Sequence, residues 1–498
     1  MSKELLVNAT PPETRVAIRE DGRTVEVFHE RRGRESLVGN VFLGRVHRVL
    51  PGMQAAFVSI GFDRDAFLYV EDALPHTVDI EGGDDEEENG AAAPAAADRP
   101  RIDDLVKEGQ SLVVQVTKDP IAGKGPRVTA SLSLPGRTLV YLPGIRQIGV
   151  SRRITDEAER ERLRRILEGF GDSGGFIART AATGAAPEEL SADRDYLKGL
   201  AARVAARGGS DSAPALLLRE LELPLRVFRD LVSLDFEAIR VDDEAAAARL
   251  RELAAQVAPP LAHRIHVDRE AEPLFDRFGI EADIESALAS RVPLPSGGYC
   301  VINQTEALVA IDVNTGRFTG KEDLEQTVFA TNLEAIPEVA RQIRLRDLGG
   351  LLVVDFIDME DPAHRREVFE RFEGELARDR ARTRVLQLSD FGLIEITRQR
   401  SRNNLERVLT RRCPACEGSG RVKTDLTAAL DLRRALLEPA RVSSGGRAVR
   451  VRVSESLAEL LREERSLLEE AQSALGAPIE LVPDDALGPG RFEVLTDS

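Results

Sequence analysis

"LVAIDVNTG" at residues 308–316 and "GGLLVVDFIDME" at 349–360 decide how this chain is read. In each, an apolar run stops at an aspartate, Asp312 in the first and Asp355 in the second. Short apolar runs bounded by glycine read as strands, and their near-continuous hydrophobicity predicts burial on both faces, as in an α/β sheet. Sites in such sheets gather at the carboxyl ends of strands, where both aspartates fall. Neighbouring strands would bring the two carboxylates together. Like charges that close repel, and one pKa rises unless a cation fills the gap. Mg²⁺ suits the gap, because it takes one or two carboxylates and keeps several waters for exchange with phosphate oxygens. Asn314, two residues past Asp312, falls on the same side if the strand continues, and Asp358 is a possible third acid. Either aspartate alone also fits a turn, in "DVNTG" or "DMEDP". The pair, with arginines nearby, favours the metal.

Outward from these strands the same alternation continues. "GYCVINQTEAL", a helix over 323–347, a helix over 362–380 and "RVLQLSDFGLIEITRQR" complete an α/β sheet domain from about 291. Upstream, "VFRDLVSLDFEAIRVDD", a helix near 243–257 and "RIHVDRE" form another α/β stretch. Residues 136–224 mix helix ("TDEAERERLRRILEGF", and a long helix at about 190–207) with the strand "GGFIART". The N-terminus reads as a hairpin, "TRVAIRED" and "RTVEVFHERR" around Asp21-Gly22. Five short strands follow: "VFLGRVHRVL", "QAAFVSIG", "DAFLYVED", "SLVVQVTKD" and "PRVTASLSL". With glycine turns between them they predict a small OB-type barrel. An acidic, then Ala/Pro-rich segment at 77–104 interrupts them and has the composition of a disordered insertion.

The chain has 498 residues, which predicts several domains. No apolar run reaches membrane-span length and no signal core opens the chain, so the cytoplasm is the expected compartment. Three cysteines, an odd and low count, argue against a disulfide framework. The net charge of −17 describes solubility more than site chemistry, since the acid is unevenly spread. "DIEGGDDEEENG" (79–90) carries seven acids, whereas "RQRSRNNLERVLTRR" (398–412) is basic.

Two of the cysteines stand in "RRCPACEGSGRVK" as Cys413-Pro-Ala-Cys416. A CxxC followed by glycines resembles half of a zinc knuckle, and a structural zinc needs four ligands. Cys300 is remote in sequence and no histidine lies in the segment, so a second chain is the simplest source of the other half. That predicts a homodimer sharing one Zn²⁺. A redox pair or an idle pair are the alternatives.

Aromatics make up only 4% of the chain, without Trp. Phe57 and Phe67 in the barrel suit base stacking if exposed, and the core if not. Lys118 and Lys124 would supply phosphate contacts nearby. At the end of "GGFIART", Arg179 and Thr180 lead into a small-residue loop, a combination suited to a terminal phosphate and supported by "SRR" at 151–153.

The order of these features resembles the catalytic region of the ribonuclease E/G family. The resemblance rests on "SRRI", "FIARTAATG", "PSGG", "QTEAL", "AIDVNTG", "TNLEA", "RQIRLRDLGGLLVVDFIDM" and "CPAC", and it spans nearly the whole chain. The chain stops soon after the cysteine link, like the branch of the family without a long tail. The resemblance implies a Mg²⁺-dependent, single-strand-specific RNA endonuclease favouring 5′-monophosphorylated ends. It implies that Asp312 and Asp355 hold the metal and that Asn314 orients them or the attacking water. Arg179 and Thr180 match the 5′-phosphate sensor. Phe57, Phe67 and Lys124 match the RNA-clamping barrel surface, and Arg382 an arginine that contacts RNA or steadies the sensor. Cys413 and Cys416 match an inter-subunit zinc link. The implied architecture is multidomain α/β (α+β). A ribonuclease-H-like domain (1–38 and 225–290) carries an inserted OB-fold barrel (39–135) and a 5′-monophosphate sensor (136–224). A deoxyribonuclease-I-like catalytic domain (291–410), a zinc link (411–425) and a small C-terminal domain (426–498) follow. The acidic insertion has the wrong sign for RNA beside a clamping face.

The expected reaction is hydrolysis of single-stranded RNA, messenger RNA and ribosomal precursors included, to 5′-phosphate and 3′-hydroxyl ends. The nucleophile would be water, and six histidines offer no evident acid–base pair. The rivals are a non-catalytic RNA-binding or assembly protein, and another phosphoryl-transfer enzyme. The latter is disfavoured by the lack of a GxxxxGK[ST] loop.

Overall fold

The computed structural model describes residues 2–74, 100–120, 124–171, 174–316, 324–386, 393–399, 404–438 and 448–495. The chain divides into two units, Met1–Val408 and Leu409–Ser498. In the first unit, one five-stranded sheet is made from distant parts of the sequence. Its order is Ile265–Val267, Phe236–Val241, Lys3–Ala9, Glu13–Glu20, Arg23–Arg31. The expected hairpin is there, with Asp21 and Gly22 both at positive φ, the geometry of a tight two-residue turn. The strand Lys3–Ala9 goes beyond the sequence reading. Leu5, Leu6 and Val7 are all fully buried, so this central strand shows no alternation to read. Its core unites Leu5, Val7, Val16 and Ile18 with Phe228, Phe236 and Leu250.

The five expected barrel strands form one closed barrel. Its order is Val41–Leu50, Ala55–Ser59, Ala66–Tyr69, Arg127–Thr129, Ser111–Lys118, closed by pairing of the first strand with the last. The strand Ala215–Leu218 adds to its edge. Of the acidic insertion, residues 77–99 lie outside the described residues. Its last stretch is structured instead of disordered: Ile102–Leu105 is a helical turn, and Ile102 is fully buried in the barrel core. The insertion therefore ends before 102, because an apolar residue inside the acidic span has a core to fill. A four-stranded sheet follows, in the order Ile148–Val150, Gly175–Ala178, Leu139–Leu142, Leu134–Pro135. It packs with the helices Glu157–Glu168 and Pro187–Ser210.

The aspartates belong to a six-stranded mixed sheet. Its order is Arg291–Pro293, Tyr299–Gln304, Leu308–Asn314, Gly350–Asp355, Leu393–Arg398, Thr383–Val385. Here the expectation of strands buried on both faces is corrected. Val309, Ile311, Val313, Leu352 and Val354 face the helices Leu324–Leu345 and Pro362–Leu376, whereas Ala310, Asp312, Leu351 and Asp355 are exposed. Ala310, Leu351 and Val353 on the open face are apolar, and they disguise a one-sided strand as a two-sided one.

The arginines of "RQIRLRD" do not face the aspartates. Arg344 is buried and forked onto Glu20 and Glu26 at 2.9–3.0 Å, and Arg341 bonds Glu338 and the Thr24 carbonyl. Arg346 bonds Gln342, and Arg398 bonds Asp347 and Asp379. Arg341 and Arg344 thus tie the long helix to the first sheet. Acid partners offset the burial of Arg341, Arg344 and Arg398, whereas Arg346 is met, among the described residues, only by neutral acceptors, and burial lowers its pKa to about 10.

The second unit is a three-stranded sheet, order Ile479–Pro483, Val449–Val453, Phe492–Leu495, packed on the helices Asp425–Leu437, Glu455–Glu463 and Ser466–Leu475. Among the described residues no helix is long and apolar enough to cross a membrane.

Candidate active site

Leu308–Asn314 and Gly350–Asp355 run parallel, and Asp312 stands in register with Asp355. Residues paired this way share a face, and strand spacing puts their backbones about 4.8 Å apart. Both side chains are exposed. Asn314 prolongs the strand, so it projects to the same face, and its Nδ2 donates to Asp312 Oδ2 at 2.8 Å. That bond turns one carboxylate oxygen and leaves the other available. Although the side chain is exposed overall, partial desolvation of its carboxyl raises Asp355 above its ordinary range, and the charges of Asp312 and Asp358 push it further. Among the described residues no cation pairs with any of these three acids. A hard divalent ion fits this set: the donors are oxygens, the charge is unbalanced, and the site is open to water. No group of three or more metal-ligating side chains is found among the described residues.

A residue that the sequence reading passed over holds this end of the strand. Asn332 is fully buried in the long helix; its Nδ2 donates to the Ile357 carbonyl at 2.8 Å and its Oδ1 accepts from the Ile357 N–H at 3.0 Å. The turn from Asp355 to Asp358 is thereby pinned from below. The available signal was an asparagine at a position where the helix stripe in "TNLEA" calls for an apolar residue. A second clamp follows, where Glu325 accepts from the backbone N–H groups of Glu360 and Asp361 and bonds His364 Nδ1 at 2.8 Å.

On the barrel, cross-strand register assembles one row: Arg48, Phe57, Phe67, Arg127, Lys118. Phe57 and Phe67 are half-exposed and meet edge-to-face, centroids 5.9 Å apart. Arg48 and Lys118 are exposed, and Arg127 pairs with Asp72 at 2.8 Å. A register shift between Val46 and Arg48 turns both His47 and Arg48 outward, so Arg48 was not readable from strict alternation. Lys124 is exposed in the loop before Arg127–Thr129. That loop presses so closely on the Asp65 carbonyl that a Cβ on Gly125 would lie 1.9 Å from it.

Arg179 and Thr180 follow the strand Gly175–Ala178. The Arg179 Nη1 is already engaged, donating to the Gly136 carbonyl at 2.5 Å and to Asp230 at 2.8 Å. Asp230 in turn is held ionised by Arg229 and Arg179 despite its burial. Thr180 is exposed, its Oγ1 3.2 Å from Ser151 Oγ, so the "SRR" segment does reach it. Arg153 of that segment donates to the Arg380 carbonyl, two residues before Arg382, whose own carbonyl accepts from Gln399. Arg382 therefore stands beside the 151–180 region and not beside the aspartates' register row.

In the second unit, Cys413 and Cys416 form a turn in which the Cys416 carbonyl accepts from Ser419 and the Cys413 carbonyl from Glu417. Backbone N–H groups of Cys416 and Ala415 hold the Cys413 thiol below its ordinary pKa, as a metal-binding thiolate requires. Left-handed Glu417, Gly418 and Gly420 follow, so neither cysteine opens a helix as a redox pair does. All three cysteines are free thiols and Cys300 is buried in the other unit, where burial pushes it up to about 12. A structural zinc takes four ligands, and among the described residues no group of three or more ligating side chains includes these thiols.

The sequence profile of the Ribonuclease E/G family matches residues 133–401, and that described as RNase E/G, Thioredoxin-like domain matches 412–497. Ribonuclease G of Escherichia coli (strain K12) is 41% identical over 497 residues, 99% of this chain and 100% of that protein. Ribonuclease G of Haemophilus influenzae is 40% identical over 495 residues, 99% of each. Ribonuclease E of Escherichia coli (strain K12) is 35% identical over 504 residues, covering 99% of this chain but 46% of that longer protein. This chain belongs to the ribonuclease E/G family.

Proposed function

We propose that this enzyme is a Mg²⁺-dependent endoribonuclease of the cytoplasm. It hydrolyses single-stranded RNA to 5′-phosphate and 3′-hydroxyl ends, prefers 5′-monophosphorylated substrates, and serves ribosomal RNA processing and messenger RNA decay. The observation that carries this reading is the register of Asp312 with Asp355, two unneutralised carboxylates on the open face of one sheet. Asp312 and Asp355 would hold the cation, and Asn314 would fix the Asp312 carboxylate through its Nδ2. When bound, the cation supplies Lewis acidity toward a phosphodiester and a water of lowered pKa. The Arg48–Phe57–Phe67–Arg127–Lys118 row and Lys124 would clamp unpaired bases and their phosphates. Arg179 and Thr180 would take the 5′-phosphate, with Asp230 holding the guanidinium in place until a stronger anion arrives, and Arg382 steadying that region. Cys413 and Cys416 of two copies would share one structural Zn²⁺, making the enzyme a homodimer or a pair of dimers.

The joined sheet of 1–38 and 225–290 supports a ribonuclease-H-like domain with barrel 39–135 and sensor 136–224 inserted. The two-layer arrangement of 291–410 supports a deoxyribonuclease-I-like domain, followed by a zinc link, 411–425, and a small domain, 426–498. The test is cleavage of a 5′-labelled single-stranded oligonucleotide with Mg²⁺ and with EDTA. Mg²⁺-dependent products with 3′-hydroxyl ends support the proposal, and products of equal yield in EDTA refute it.

A further inference from the structure

The open face that carries the aspartates also carries an arginine and a tyrosine that no step above uses. Arg291 pairs with Val301, which pairs with Asp312, which pairs with Asp355, so these four form one row across the sheet. Tyr299 pairs with Asn314, one pleat along the same face. The Arg291 guanidinium lies 3.6 Å from the centroid of the Tyr299 ring, the separation of stacked planes in contact. Arg291 is exposed, and among the described residues its guanidinium makes no hydrogen bond and no ion pair. Its backbone lies two strands from that of Asp312, roughly 10 Å away, and among the described residues no ion pair joins its guanidinium to either aspartate. Gly316, in the loop that leaves Asp312 and Asn314, borders the ring: an added Cβ there would be in ordinary van der Waals contact with Tyr299 Cδ1, at 3.5 Å.

An arginine held in contact over a tyrosine ring has a second face to offer a base. Its N–H edges, unspent on carboxylates, remain for an anion. A strand of RNA reaching two carboxylates meets repulsion, and a fixed cation beside them offsets part of it. We propose that Arg291 and Tyr299 form the platform for the nucleotide next to the scissile phosphate. An unpaired base stacks on the outer face of the guanidinium, and the N–H edges meet that nucleotide's phosphate. A base inside a duplex cannot enter this stack, so the platform favours single strands at the point of cleavage itself. The inference rests on the nuclease reading for what lies between the aspartates.

The test uses the full-length chain and two labelled single-stranded oligonucleotides, one intact and one abasic at the position next to the cut. Affinity is measured by fluorescence anisotropy in EDTA, which needs no cleavage, and KM and kcat are measured with Mg²⁺. Arg291→Ala and Tyr299→Ala should each weaken binding and raise KM about tenfold on the intact strand, the size of one lost stack. The kcat should stay within about twofold, because the stack is made equally before and during the reaction. Tyr299→Phe keeps the ring and should behave as wild type. On the abasic strand the stacking part of each loss should vanish: Tyr299→Ala should approach wild type, and Arg291→Ala should keep only the smaller loss of its phosphate contact. Alanine variants that bind the intact strand as well as wild type, or that lose as much on the abasic strand, overturn the platform. A wild type that binds but does not cut refutes the nuclease reading instead, and the anisotropy comparison still decides the platform.

Discussion

Asp355 shows what a single side chain contributes here. Its carboxyl is raised by burial and by two neighbouring acids, so it holds its proton to a higher pH than an ordinary carboxylate. The sign of the consequence follows. Lowering the pH through that raised value loads a proton onto the oxygen the cation needs, and proton and cation then compete. The Mg²⁺ concentration for half-maximal cleavage should therefore rise as the pH is lowered toward the raised carboxyl value, with kcat at saturating Mg²⁺ changing less. A half-saturation that stays flat down to the acid limit of the enzyme's stability would mean that no proton competes with the ion at Asp355. The same carboxylate is readable in the sequence because a charge at the end of an apolar strand is conspicuous. Asn332 gave only the weaker signal of an amide on an apolar helix stripe, and its role shows only in the backbone groups it bonds.

At the scale of elements, the barrel row is a product of register. Lys118, Arg127 and Arg48 reach the phenylalanines only because three different pairings bring them level. Phe67→Ala should weaken binding of a single-stranded oligonucleotide roughly tenfold by removing one stacking surface. Arg48→Ala should instead reduce the salt dependence of binding, lowering the slope of log K against log salt by about 0.7, the share of one phosphate contact on a single strand. A slope unchanged in the arginine variant would take Arg48 out of the interface. The barrel strands were legible as alternating runs with glycine turns, and so was the hairpin. The central strand Lys3–Ala9 was not, because a strand covered on both sides has no alternation. The opposite error arose at 308–316 and 349–355, where apolar residues on an open face imitated burial. In both places the sequence records side-chain polarity, whereas the fold is decided by which neighbour covers each face.

At the scale of the whole molecule, the proposed zinc site needs two chains, whereas the aspartate pair lies within one. Cys413→Ala should remove about one Zn²⁺ per two chains and halve the mass seen by light scattering, while the first unit keeps its folded far-UV signal. An unchanged mass in a zinc-free variant would refute the shared site. The motif order that placed the chain in its family was fully visible in sequence. The platform of Arg291 on Tyr299 was not, since the two are eight residues apart on antiparallel strands and only the turn between them makes them neighbours.

The central claim is that two strands hold a cation between Asp312 and Asp355 and that RNA cleavage depends on it. The most direct measurement compares Asp355→Asn with wild type on one labelled single-stranded oligonucleotide, following cleavage with Mg²⁺ and binding without it. The account predicts that cleavage falls by roughly a thousandfold, the several kcal/mol that a bound cation contributes to such a transition state, while the Kd for RNA stays within about twofold. Turnover at the wild-type rate in the asparagine variant would contradict it.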